Sequence, residues 1–228
     1  MAKKSRKISD SSVNFITVEA YKIARMNIAL SVAKKGCKKI LITSALAHVG
    51  KTTTSCNIAA VFSKQINSRV LLIDCDLRKP DVAKFFKIKN TPGLTNYLSG
   101  MCELNEIIQT VPNTNLSVIC GGVISPNPSE LLTSERFFEL LEMLEEEYDY
   151  IIIDTPPVNV VADALALISH SDGVVLVAYE KRSDRNEIDK AVENLRRFNA
   201  KILGFVLNGS RTYEKRYGKY SYKYKYYR

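Results

Sequence analysis

The chain has 228 residues and a formal charge of +9 at pH 7, which is long enough for one α/β domain with a sizeable core. The charge sits at the ends: the first ten residues carry +3 (Lys3, Lys4, Arg6 and Lys7 against Asp10) and the last eighteen carry +6, so the remainder is neutral. A neutral globular part argues against a nucleic-acid partner or an anionic membrane surface, and five cysteines without a CxxC pair argue against a disulfide framework or a zinc site.

In chain order, a helical pattern from Val18 to Lys34 precedes the apolar run "KKILITSA", and a second helix from Thr52 to Lys64 leads to "RVLLIDCD". The run "LSVICGG", a helix from Ser129 to Glu147 and the run "YDYIIIDTPP" follow. A helix from Ala162 to Ser169, the run "GVVLVAYE", a helix from Glu187 to Phe198 and the run "AKILGFVLN" complete the order. Several strand runs are continuously apolar, as in strands covered on both faces. Repeated strand–helix–strand order predicts an α/β fold: a doubly wound, mostly parallel sheet of P-loop NTPase type. The cysteines are expected to be reduced and mostly buried. The N-terminus has no apolar signal core and no run approaches the roughly 18 apolar residues of a membrane span. The expected location is therefore cytoplasmic, with membrane contact only through a partner.

The first strand runs into "ALAHVGKTTTSCN", where Ala45 to Thr52 fits GxxxxGK[ST] with Ala45 in place of the first glycine. Such a loop curls backbone N–H groups around phosphate oxygens, brings a lysine to the β and γ oxygens and sets a hydroxyl on Mg²⁺. The candidate cradle is Ala47, His48, Val49, Gly50, Lys51, Thr52 and Thr53. The middle positions lack the usual glycines, and of their occupants His48 tolerates a left-handed conformation best.

Two later strands end in acids. Asp74 and Asp76 stand at i and i+2 and project to one side, with Cys75 turned the other way. Asp154 closes "YIIID", the form of a Walker B acid. Parallel strands end at one edge, which collects the loop and all three aspartates. Three carboxylates beside phosphates would repel them without a divalent metal, so ATP with Mg²⁺ follows from the charge count. A carboxylate not engaged by the metal is free to act as general base.

These segments resemble the bacterial tyrosine kinases (BY-kinases) of capsular and exopolysaccharide synthesis. The matching stretches are the phosphate loop, "LLIDCDLRKP", "GLTNYLSG", "GGVISPNPSELL", "IIIDTPPV" and "FVLNG" before a tyrosine-rich end, with "EAYKIARMNI" similar to the ring-forming ExxRxxR helix. The resemblance implies an ATP-dependent protein-tyrosine kinase with Lys51 on the phosphates and Thr52, Asp76 and Asp154 on Mg²⁺. It further implies Asp74 as base and Asn208 at the adenine edge. Glu19, Lys22 and Arg25 would make contacts in a homo-oligomeric ring, Lys22 standing where the family has arginine. The family has Pro-Gly where this chain has Ala47 and His48.

The end of the chain then reads as the kinase's own substrate. Tyr213, Tyr217, Tyr220, Tyr222, Tyr224, Tyr226 and Tyr227 fall within the last sixteen residues, interleaved with Lys and Arg and without a phenylalanine. Packing or stacking would not require hydroxyls. Each phosphate adds about −1.5 to −2 charges, so about four would erase the segment's positive charge. The implied division is a basic segment over 1–16, a kinase domain over 17–210 and a tyrosine-rich tail over 211–228. The resemblance also implies a separate transmembrane activator of the polysaccharide co-polymerase type, which would recruit the kinase to the inner face of the membrane, and it leaves room for a cognate tyrosine phosphatase. Two rival readings are a scaffold whose altered loop no longer turns over ATP and a partition-type ATPase. The latter carries a second lysine where this loop has Leu46.

Overall fold

The computed structural model describes residues 10–112 and 114–210, so the terminal tyrosines and the basic residues before Asp10 lie outside the described residues. In chain order the elements are α1 (Asp10–Ser31), β1 (Lys38–Ser44), α2 (Lys51–Phe62), β2 (Val70–Asp74) and α3 (Val82–Phe86). Then come α4 (Leu94–Leu98), α5 (Leu104–Ile107), β3 (Ile108–Thr110), β4 (Leu116–Ile119), α6 (Pro128–Leu132) and α7 (Glu135–Glu147). The last group is β5 (Tyr150–Asp154), α8 (Asp163–Ala166), a 3₁₀ turn (Ile168–His170), β6 (Gly173–Tyr179), α9 (Arg185–Arg197) and β7 (Ile202–Asn208).

The seven strands form one sheet in the order β3-β4-β2-β5-β1-β6-β7. Every neighbouring pair is parallel except β3 with β4. The doubly wound reading therefore holds, and the continuous apolar runs have their physical reason: each central strand is buried on both faces. Alternate residues go to opposite sides. Ile40, Ile42, Val70, Leu72 and Ile152 pack with Cys56, Ile58, Ala59 and Phe62 of α2 and with Tyr21 and Ile28 of α1. Leu41, Leu71, Ile73, Ile151 and Ile153 pack with Phe137, Leu140, Leu141 and Leu144 of α7 and with Ala191 and Leu195 of α9. All five cysteines are free thiols, four of them buried and Cys102 partly exposed.

Beyond shifts of one or two residues at the ends of α2 and α9, the structure departs from the sequence reading in four places. The first helix begins at Asp10 rather than Val18 and stops at Ser31 rather than Lys34. The expected helix from Ser129 to Glu147 is two, because the Ser134 hydroxyl accepts from the Phe137 N–H and caps a fresh start for α7. The expected helix from Ala162 to Ser169 is one turn of α8 followed by a 3₁₀ turn. Finally α3, α4, α5 and β3 have three to five residues each, too few to show a period.

β2 and β5 run side by side with Asp74 opposite Asp154, and β1 carries the loop to α2 on the other flank of β5. The C-terminal ends of the three central strands thus bring the loop and the acids to one place.

The α2 face of the core depends on Phe62, which is fully buried with its ring centroid 4.3 Å from that of Tyr150. Phe62→Ala is expected to lower the unfolding free energy by about 3–5 kcal/mol, read as a shift of the urea midpoint. A loss below about 1 kcal/mol would mean that the core can collapse around the missing ring.

Candidate functional site

The turn from β1 into α2 closes tightly. Gly50, just before the helix, has φ 85°, a conformation open to glycine at no steric cost. A Cβ built there would lie 2.8 Å from the Asn208 side-chain nitrogen. His48 also has positive φ, at 62°, so it takes the left-handed conformation that its side chain tolerates better than most. Two outside groups hold the loop in this form. The Asn208 amide donates to the Val49 carbonyl at 2.9 Å and to the Thr54 hydroxyl at 3.2 Å. The Arg182 guanidinium donates to the His48 carbonyl at 3.2 Å.

Lys51 is the first residue of α2, and its ammonium stands 2.6 Å from Asp76 and 3.7 Å from Asp154. It also donates to the Thr52 hydroxyl at 3.2 Å. Burial pulls the Lys51 pKa down, but the charges of Asp154 and Asp76 outweigh it and the net shift is upward, so the group stays protonated. Asp154 is fully buried; one carboxylate oxygen accepts from Ser55 at 2.8 Å and the other accepts no hydrogen bond. Asp74 is fully buried too, and accepts from the N–H groups of Asp76 at 3.2 Å and Val82 at 3.1 Å. Burial raises the pKa values of both acids, and for Asp74 the charge of Asp154 adds to the rise.

Beside Lys51 lies a cavity of about 570 Å³, within the range of small-molecule sites. Of the sequence candidates, Ala47, His48, Gly50, Lys51, Thr52, Thr53 and Asp76 line it. Asp74 and Asp154 stand behind the wall. Val49 is buried in the α2 face of the core and supplies only its carbonyl to Asn208. Asn208 braces the back of the loop. Among the described residues no three of His, Cys, Asp and Glu converge as a metal cluster, so the three aspartates do not form one nest of ligands. The Asp154 oxygen that accepts no hydrogen bond, the Asp76 carboxylate and the Thr52 hydroxyl nevertheless fit Mg²⁺, which is commonly held by one or two carboxylates with phosphate oxygens and water completing its shell.

On α1 the expected contact residues behave differently from one another. Lys22 and Glu19 pair with each other at 2.6 Å. The Arg25 Nε is buried without a hydrogen-bond partner.

Several residues of the site escaped the sequence reading. Ser55 lies one helical turn beyond Lys51 on the same face, so its spacing was the available signal. Arg78 and Lys79 follow Asp76 in the cavity wall, and Asp81, Lys84, Phe85, Pro156, Pro157, Val160 and Val161 complete that wall. Arg78 is bonded to Asp163 and Ser129 from distant segments. No local pattern marks Arg182, whose partner is 134 residues away.

An AAA domain family profile matches residues 37–202. The chain is 39% identical over 206 residues to the tyrosine-protein kinase YwqD of Bacillus subtilis, covering 90% of this chain and 86% of that protein. Among solved structures, the kinase domain of the Escherichia coli tyrosine kinase ETK superposes with a TM-score of 0.80 at 35% identity, covering 84% of this chain and 75% of that one. The septum site-determining protein MinD of Pyrococcus horikoshii, solved with Mg-ADP, shares the fold at a TM-score of 0.63 and 22% identity, over 75% of this chain and 70% of that one.

Two outcomes test the site's physics. Because burial raises the Asp154 pKa in the folded state, the stability linked to its neutral form is full at acid pH and is lost as pH rises through the raised value. Asp154→Asn should therefore match the parent's unfolding temperature at low pH and exceed it increasingly toward pH 8; a gap independent of pH would refute the shift. For the loop, His48→Val puts a β-branched residue at positive φ and should cost about 1 kcal/mol, while His48→Gly should stay within about 0.5 kcal/mol of the parent because relieved strain and added chain entropy offset. Equal stabilities for the two variants in urea would show that residue 48 does not need the left-handed conformation.

Proposed function

The chain belongs to the bacterial tyrosine-protein kinases, and from that premise we propose that its cavity binds ATP with Mg²⁺ and passes the γ-phosphoryl group to the chain's own terminal tyrosines. The observation that carries this reading is the Lys51 ammonium, held between Asp76 and Asp154 at the mouth of the cavity.

The loop residues Ala47 to Thr53 present backbone N–H groups at the start of α2, where the helix dipole favours anions. Lys51 exchanges its carboxylate contacts for the β and γ oxygens. Asp76, Asp154 and Thr52 would hold Mg²⁺, which when bound neutralises phosphate charge. The acceptor tyrosine oxygen forms the new P–O bond as the bond from the γ phosphorus to the bridging oxygen breaks and ADP leaves. The tyrosine proton goes to Asp74, whose raised pKa makes it a stronger acceptor than an exposed carboxylate. Asp74 is fully buried, so the turn from Asp76 to Lys79 must shift for the acceptor to reach it. Asn208 acts on the nucleotide through the loop that it braces, and its adenine contact is part of the same proposal.

The reading extends to kinase domain boundaries of 17–210, with the tail over 211–228 as phosphoacceptor, and to control of capsular or exopolysaccharide synthesis. A ring of copies fits α1, on which Ile23, Met26 and Leu30 are exposed beside Glu19 and Lys22. Among the described residues no helix is long and apolar enough to cross a membrane, and the proposed membrane link is a transmembrane activator. The left-handed His48 favours a working loop over a dead scaffold. Identity of 39% to a tyrosine kinase against 22% to MinD favours the kinase over a partition-type ATPase.

Purified protein incubated with Mg²⁺·ATP and an activating peptide from the partner should gain phosphate on Tyr213 to Tyr227, read by phosphopeptide mass spectrometry. Lys51→Met should lose roughly 10²-fold or more of it. Equal labelling of the two proteins, or none with the fold intact, would overturn the proposal.

A further inference from the structure

The cavity has a second cationic lobe that phosphoryl transfer leaves unexplained. Arg78, Lys79 and Lys84 line it with Phe85, their three positive charges opposed by the single carboxylate of Asp81. Arg78 is the ordered member. Its Nε donates to one oxygen of Asp163 at 2.9 Å and its Nη2 to the other at 3.3 Å, while Nη2 also reaches the Ser129 hydroxyl at 3.3 Å. Ser129 in turn donates to Asp163 at 2.6 Å. Asp163 is fully buried. A buried carboxylate is costly unless paired, so α8 and α6 each contribute a polar group whose common effect is to fix one guanidinium. Among the described residues its Nη1 edge makes no protein hydrogen bond, although the side chain is 44% exposed at the cavity. A guanidinium held along one edge and open along the other suits a phosphate.

The phosphates of ATP already have Lys51 and the loop. A second phosphate is available from the chain itself. Tyr220, Tyr222, Tyr224 and Tyr226 recur at every second position. In an extended peptide such residues project from one face, about 7 Å apart. Arg78 stands two residues after Asp76, and two residues of chain span at most about 7 Å. Asp76 in turn touches Lys51 at 2.6 Å. The turn that the Lys79 N–H closes on the Asp76 carbonyl at 3.0 Å keeps Arg78 on the same wall as that carboxylate, and the ladder places an acceptor about 7 Å from a phosphate bound there.

We propose that Arg78, fixed by Asp163 and Ser129 and flanked by Lys84, binds the phosphate of a phosphotyrosine already formed on the tail and so presents the tyrosine two residues away to the reaction centre. Phosphorylation then proceeds along the ladder, each product priming its neighbour. This rests on the reading of the tail as substrate.

The test uses full-length protein and synthetic peptides of residues 217–228 in which a single acceptor, Tyr222, is kept and the other tyrosines are phenylalanine. One peptide carries phosphotyrosine at 224, one carries it at 227, and one carries none. The peptide primed at 224 should have a kcat/KM roughly ten- to hundredfold above the unprimed one, as a charge-assisted contact provides, and the peptide primed at 227 should gain less. Arg78→Gln should bring the ratio close to one, and the exposed change Lys84→Ala should lower it part of the way. Equal rates for primed and unprimed peptides, or a ratio that survives both substitutions, would overturn the proposal. So would an Arg78→Gln protein whose only defect is a raised KM for ATP, since Arg78 would then serve the nucleotide. Anisotropy of labelled peptides on the Lys51→Met protein separates the two readings: a preference for the peptide primed at 224 there, with no transfer by the parent, supports the subsite and rejects the tail as substrate. Inorganic phosphate and free phosphotyrosine, added as competitors, should displace that peptide far less well than a second copy of it.

Discussion

The ammonium of Lys51, shared by Asp76 and Asp154, is the contact on which the site's architecture rests. Three carboxylates gathered at the ends of parallel strands are mutually repulsive, and two of them are fully buried. One cation on the first turn of α2 offsets that repulsion. The same cation faces the cavity, where phosphate would compete for it. The group that offsets the repulsion is therefore the group that the substrate would recruit, and the carboxylates it leaves behind are of the kind that a divalent cation takes up.

Around that contact the loop is held from outside rather than by its own composition. Glycine-rich loops reach left-handed conformations at no steric cost. This one does so at His48 and Gly50 and is tied down by Asn208 and Arg182. Both braces come from the β6 side of the sheet: Asn208 ends β7, and Arg182 follows β6. Loop geometry thus depends on the packing of two strands remote in sequence. Small movements of that edge would be transmitted directly to the residues that line the cavity.

The opposite wall follows a related logic. Asp163 is sealed under Arg78 and Ser129, which joins three chain segments at the cavity rim. The turn between Asp76 and Lys79 carries both the carboxylate that contacts Lys51 and the Arg78 guanidinium, so a shift that opens Asp74 would also move Arg78. In the proposed reaction, proton acceptance and recognition of a neighbouring phosphate would therefore be coupled through four residues of chain.

The order of strands and helices was legible in the sequence, because strands buried on both faces are written as unbroken apolar runs and the long helices as periodic ones. Lys51, Thr52, Asp76 and Asp154 were legible too, since a loop between strand and helix and acids at strand ends follow from local spacing. Short elements such as β3 and α4 were not, having too few residues for a period, and the break at Ser134 depended on a side-chain cap that competes with helix continuation. Only the tertiary structure decided which acids face the cavity and which are sealed behind it, that Asn208 and Arg182 brace the loop, and that Asp163 and Ser129 fix Arg78. Those roles belong to side chains that meet across more than 30 residues of chain, and such meetings are set by how the helices pack on the sheet, which no local pattern encodes.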